Sequence, residues 1–235
     1  EGRLSAPRTL RIRRAGHDLA AVGDAVLVAD GSGVSSYSLA DGDLLSSVEI
    51  CGRPRRIFVD GDRAYVVGLL RLVVLDVADP SAPGRRREVS LVARRDGGLG
   101  VGSGGRCGFV ERALDRLCEA TGACGAFGRS AAAYHEGKLF LHLLGTVHVL
   151  DMRDDIGPLV LASVPVGYVS EMAVEPPFVY ANGVCHQTFV VAELPDGSWA
   201  EVGEHDVEEF ADGVLGLDHW VVHVDGARLE IGSIQ

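Results

Sequence analysis

Lysine is almost missing from this chain. Lys138 is the only one, so nearly all of the 22 basic side chains are arginines, and 33 acidic residues outweigh them to a net charge of −11. Affinity for phosphate backbones comes mainly from clustered Lys and Arg, so this balance argues against nucleic acid as a partner. Long apolar runs are missing too. The longest, Val66 to Val77, is broken by Gly68 and Arg71 and falls short of the roughly 18 residues a membrane helix needs. No membrane insertion is therefore expected. The glycine-rich stretch Asp96 to Gly105 lacks the strand-to-helix setting and the basic residue of a phosphate-binding loop. No close cysteine pair and no DxDxDG run occurs, so neither a cofactor nor a metal is expected.

What the chain does contain is a repeat. Arg71-Leu-Val-Val-Leu-Asp-Val-Ala-Asp-Pro-Ser-Ala-Pro83, preceded by Val59-Asp-Gly-Asp-Arg-Ala-Tyr-Val-Val67, recurs in weaker form at a spacing of about 40 residues. Each copy runs apolar stretch, Gly/Asp turn, apolar stretch, short turn, third stretch, which is the pattern of an antiparallel meander. The first unit places strands over 18–22, 25–29, 34–39 and 44–50, and the second over 56–59, 64–67, 71–77 and 87–91. The third covers 131–135, 138–142, 147–151 and 159–164, and the fourth 171–174, 178–181, 188–192 and 199–202. A fifth supplies only three, 214–217, 220–224 and 228–231. A sheet one strand short exposes an edge that proteins usually cover. Thr9-Leu-Arg-Ile-Arg13 alternates polar and apolar residues and is predicted to complete it. The expected fold class is all-β: one domain over 1–235, a five-bladed β-propeller of four-stranded antiparallel blades, its last blade closed by the N-terminal strand.

Residues 92–129, between the second and third units, form the expected insertion. Its glycine-rich start reads as a flexible linker. Residues 109–120 read as a helix with Val110, Leu114 and Leu117 on one face. Three of the five cysteines fall here, and Cys107, Cys118 and Cys124 are the disulfide candidates. Cys118 and Cys124 flank a short loop, and Cys107 can pair with either.

The second unit, with its Arg71-Leu-Val-Val-Leu-Asp-Val-Ala-Asp-Pro core, resembles the repeat of the LVIVD-type β-propeller proteins of bacteria and archaea. Val147-His-Val-Leu-Asp-Met-Arg-Asp-Asp-Ile-Gly-Pro158 keeps the same shape, and the resemblance covers about half the chain. It implies an exported, periplasmic or surface-attached interaction module without an assigned chemistry.

Aligning the units on their first turn brings His17 and Asp18, Arg55 and Arg56, Ser170 and Glu171, and Asp212 to equivalent positions at the start of the innermost strands. Around a closed ring these would surround one mouth of the channel, with the turn containing His186 on the same face. His17, Arg55, Arg56, Glu171, Asp212 and His186 are thus the candidate ligand-binding residues for a small polar ligand or a partner protein. Asp18, Glu171 and Asp212 also admit a glycosidase, in which two carboxyl groups act as acid and as nucleophile or base. The expected function is a noncatalytic, monomeric interaction module; the carbohydrate-active hydrolase is the alternative. His142, His148 and His223 lie mid-strand and read as core histidines rather than metal ligands.

Overall fold

The computed structural model describes residue 12 and residues 16–94, 96–103, 131–154, 157–183, 187–206, 213–217, 220–225 and 228–233. These residues form five antiparallel sheets and, among them, no helix. The first sheet joins β1 (Gly16–Val22), β2 (Ala25–Asp30), β3 (Gly33–Ser38) and β4 (Leu44–Glu49). The second joins β5 (Arg56–Asp60), β6 (Arg63–Val67), β7 (Arg71–Asp76), β8 (Gly84–Ala93) and β9 (Leu99–Ser103). The third holds β10 (Ala132–His135), β11 (Lys138–Leu143), β12 (Thr146–Asp151) and β13 (Leu159–Pro165). The fourth holds β14 (Val169–Glu175), β15 (Phe178–Gly183), β16 (Gln187–Glu193) and β17 (Trp199–Asp206). The fifth contains β18 (Gly213–Leu217), β19 (Trp220–Asp225) and β20 (Arg228–Ser233).

Burial explains why the repeat reads as it does. Every residue of β2 is buried, so this middle strand with neighbours on both faces is apolar from Ala25 to Ala29, and the buried Asp30 that ends it is satisfied by hydrogen bonds within the turn. The outer strand β4 instead alternates half-buried and exposed positions. Apolar layers fill the seams between consecutive sheets. Leu27, Val34 and Ile50 pack on Ile57, Val66 and Leu75 between the first two. Leu72, Leu91 and Leu99 meet Leu139, Leu141 and Leu150 between the second and third. Phe140, Val147 and Val149 meet Met172, Val179 and Val191 between the third and fourth. Each enclosed Leu contributes about 1.5–3 kcal/mol relative to exposure.

One irregularity recurs. Between the third and fourth strands of four sheets the register slips by one residue, at Ser36/Tyr37, Val74/Leu75, Val149/Leu150 and Val190/Val191. The slip leaves Leu45, Arg86, Leu161 and Val202 as the extra, bulged residues of β4, β8, β13 and β17.

One expectation needs correction. The glycine-rich stretch after Arg94 is not a linker at its start: Leu99–Ser103 pairs with Ala93 back to Val89, turning the second sheet five-stranded. The ladder is made by backbone groups, which glycine supplies as well as any residue, and Leu99 anchors it in the core. The insertion expected from residue 92 therefore opens with a hairpin. Its expected helix over 109–120 lies outside the described residues, as does the N-terminal strand apart from Ile12, which is exposed and outside any strand. The fifth sheet has three strands among the described residues.

Candidate functional site

The first strands of consecutive sheets lie side by side, β1 against β5, β10 against β14 and β14 against β18. Their starts carry the candidate residues. In β1 the pairing with β2 steps from Gly16 to Asp18, leaving His17 as the bulged residue. In β14 it steps from Val169 to Glu171, leaving Ser170 in the same role. The alignment of His17-Asp18 with Ser170-Glu171 is thus a structural equivalence, produced by a bulge that turns each side chain out of the pleat.

Arg56, at the start of β5, forms an ion pair with Glu171 of β14, joining the second sheet to the fourth. Both side chains keep 25% of their exposure, so the pair sits at a rim rather than in the core. Asp18 is engaged differently. One carboxylate oxygen accepts the Leu19 N–H at 2.9 Å and the other accepts the Ile57 N–H at 3.0 Å, which ties β1 to β5. Asp212 and His186 lie outside the described residues.

The loop between β4 and β5, Cys51 to Arg55, is held from several sides. Cys51 is in a disulfide. The Ile50 N–H donates to Ser32 O at 2.9 Å, the Leu69 N–H to Gly52 O at 2.9 Å and the Arg55 N–H to Val67 O at 2.8 Å. Gly52 and Arg53 both take positive φ, 82° and 50°. A non-glycine residue in that region carries strain that its surroundings must over-determine. A Cβ on Gly68 would stand 2.5 Å from Gly52 O, so the neighbouring turn fits against the loop only as glycine. His17 lies in the field of this loop: burial, then Arg55, then Arg53 lower its pKa from the usual value, and Asp30 offsets part of that. Asp30 itself accepts from Ser32 N–H, Ser32 Oγ and Gly33 N–H at 2.7, 2.6 and 3.0 Å, fixing the β2–β3 turn beside it.

His17, Arg55, Arg56, Asp18 and Glu171 therefore belong to one end of the sheets, as their alignment predicts. The sequence reading passed over Cys51 and Arg53. Cys51 is not among the expected disulfide residues Cys107, Cys118 and Cys124, all three of which lie outside the described residues together with Cys185. The Cys-Gly-Arg-Pro-Arg-Arg run was the available signal.

The two described core histidines sit in the third sheet. His142 Nε2 lies 2.9 Å from Gly167 O and receives the Gly145 N–H at 3.1 Å. His148 Nδ1 lies 2.9 Å from Ser163 Oγ, while its Nε2 meets no hydrogen-bond partner. Burial, and then His142, lower the His148 pKa to about 4. Among the described residues no three His, Cys, Asp or Glu side chains are grouped to hold a metal ion. At the other end of the third and fourth sheets, a cleft of about 310 Å3 collects Phe140, Phe178 and Trp199 with Lys138. Lys138 Nζ stands 5.3 Å from the Trp199 ring and 2.6 Å from Glu193.

No protein-family model matches the chain and no curated protein matches it, so the resemblance to LVIVD-type repeats rests on the quoted motifs. Solved structures do match. The β-propeller domain of Swd1 from Myceliophteria thermophila aligns with a TM-score of 0.63 at 13% identity, over 97% of this chain and 72% of its own. The computationally designed Ika8 protein gives 0.55 at 14% identity, over 94% and 71%. BamB from Moraxella catarrhalis gives 0.52 at 10% identity, over 92% and 69%. At such identities the likeness establishes the fold alone, an all-β propeller.

Proposed function

We propose that the chain is a noncatalytic β-propeller module that recognises an acidic segment of a partner protein on the face carrying the Cys51 to Arg56 loop. The observation that carries this reading is the loop itself. Disulfide, cross-turn hydrogen bonds and two positive-φ residues fix the backbone that carries Arg53, Arg55 and Arg56 within a chain of net charge −11. Fixed arginine forks match carboxylates in two-point contacts without a large ordering cost. Two of the three carboxylates proposed for a glycosidase are engaged in other work, Glu171 with Arg56 and Asp18 with two backbone N–H groups, and the third, Asp212, lies outside the described residues. That engagement favours recognition over hydrolysis.

The module is, in this reading, a monomeric single domain of five blades, with residues 9–13 adding the fourth strand to β18–β20. The disulfide at Cys51 fits an oxidising compartment, so the protein acts outside the cytoplasm, in the periplasm or at the cell surface. The test is fluorescence anisotropy with an Asp/Glu-rich peptide and a neutral peptide of equal length. Joint substitution Arg53→Glu and Arg55→Glu is expected to weaken the acidic peptide at least about tenfold, a loss of roughly 1.4 kcal/mol. Equal binding by the variant would overturn the assignment of the face. Hydrolysis of an aryl glycoside by the native chain, abolished by Glu171→Gln, would overturn the noncatalytic half.

A further inference from the structure

The seam between the second and third sheets departs from the other seams at one repeated position. Where the register slips in each sheet, the first sheet carries Leu45 then Ser46, the third Leu161 then Ala162, and the fourth Val202 then Gly203. The second carries Arg86 then Arg87. The chain thus supplies its own comparison: three copies place an aliphatic and a small residue at the bulge, and one places two arginines there. Successive residues of a regular strand face opposite sides, but a bulge can bring both to one side. Arg86 and Arg87 both line the same cavity of about 230 Å3.

That cavity has an apolar floor and a cationic rim. Tyr65, Val74 and Arg87 stand in one row across β6, β7 and β8, and Met152 faces them from the end of β12. Arg63 completes the rim from the start of β6. A second cavity of about 470 Å3 continues from the first past Arg87, Asp154 and Pro158. The Arg87 guanidinium lies over Gly157, where a Cβ would come within 2.7 Å of Nη2.

Both signs of charge meet at the rim. Among the described residues Asp154 is the one acid lining the first cavity, while Glu88, on the wall of the second, is held by Arg71 and Arg85. Asp62 forms longer ion pairs with Arg63 at 3.8 Å and with Arg86 at 3.7 Å. A guanidinium carries five N–H donors in a planar fork, so one arginine can hold an acid of the protein and also donate to a ligand oxygen.

We propose that this seam binds an amphipathic organic anion, its phosphate or carboxylate head held by Arg63, Arg86 and Arg87 and its apolar body laid on Tyr65, Val74 and Met152. The site is separate from the arginine loop. Arg56 pairs with Val67 at one end of the β5–β6 hairpin, and Arg63 lies at the other.

The experiment is calorimetric titration of the whole chain with octyl phosphate below its micelle concentration, with octanol and inorganic phosphate alone as companion probes. Arg86→Leu and Arg87→Ala install the residues the third sheet uses at the same positions, and each is expected to weaken octyl phosphate about tenfold. Arg94→Ala, on an exposed turn that lines neither cavity, is expected to bind as the native chain does. Octanol binding as tightly as octyl phosphate would overturn the role of the arginines, and inorganic phosphate binding as tightly would overturn the apolar floor. No heat with octyl phosphate at millimolar concentration, or equal affinity in the bulge variants, would overturn the site. If a bulge variant fails to fold, the comparison of the three probes on the native chain still decides. Loss of octyl phosphate binding in Arg53→Glu/Arg55→Glu would move the site to the loop.

Discussion

Acidification should weaken the fold through His148. The ring is 1% exposed, its Nδ1 is satisfied by Ser163 and its Nε2 makes no full hydrogen bond, so a second proton would place a charge in the core that a backbone contact with Leu143 only partly offsets. Its folded pKa is about 4 against an ordinary 6.5. Between those values the unfolded chain binds a proton that the native chain refuses. Stability therefore rises with pH across this window, is fully present above about 6.5 and is lost as pH falls toward 4. At about 1.4 kcal/mol per pH unit the gap amounts to about 3 kcal/mol, and solvent screening trims that to about 2–3 kcal/mol. His142, lowered mainly by its own burial, adds in the same direction. The assay is urea unfolding at pH 7, 5.5 and 4.5 for the native chain and for His148→Val. Valine is the residue the second sheet carries at that register position, as Val73. The variant should lose less stability than the native chain on acidification. Parallel losses would refute the argument, because carboxylates elsewhere would then carry the whole effect.

Arg71 is buried and paired with Glu88, so Arg71→Ala should cost about 3 kcal/mol in urea unfolding by opening a gap in the core and leaving the carboxylate to Arg85 alone, whereas Arg85→Ala on the exposed side of the same acid should cost under about 1 kcal/mol. Equal costs would contradict that distinction. Gly68→Ala pushes a methyl against Gly52 O and should cost about 1–3 kcal/mol in thermal unfolding while weakening the acidic peptide, since it displaces the loop that carries Arg53; unchanged peptide affinity would show that the loop does not need its present position. Deleting residues 1–14 should lower the thermal midpoint by uncovering the edge of β20, and an unchanged midpoint would refute closure of the ring by residues 9–13.

Most strands were legible because apolar runs separated by short turns survive in each repeat, with Pro176-Pro177 standing for the Gly/Asp turn in the fourth, and the equivalence of Asp18 with Glu171 followed from counting back from those turns. Strand β9 was not legible. Its residues, Leu-Gly-Val-Gly-Ser, carry little side-chain signal, and the ladder to β8 is written in backbone groups. The seam site was hidden for a related reason. A one-residue slip decides which side of β8 Arg86 faces, and nothing in the run Arg85-Arg86-Arg87 reveals that slip until β7 is laid beside it. The Arg56–Glu171 pair spans 115 positions, so charge composition allowed it without specifying it. Cys51 stands alone in its unit, which is why the denser cysteines of the insertion drew attention away from it.

The account rests on recognition at the face that carries the arginine loop. Hydrogen–deuterium exchange of the whole chain, with and without a saturating Asp/Glu-rich peptide, tests that placement directly. Protection gathered over residues 31–33, 50–56 and 68–70 is the predicted result. Protection confined to the opposite turns around Lys138 and Trp199, or none at saturation, would contradict it.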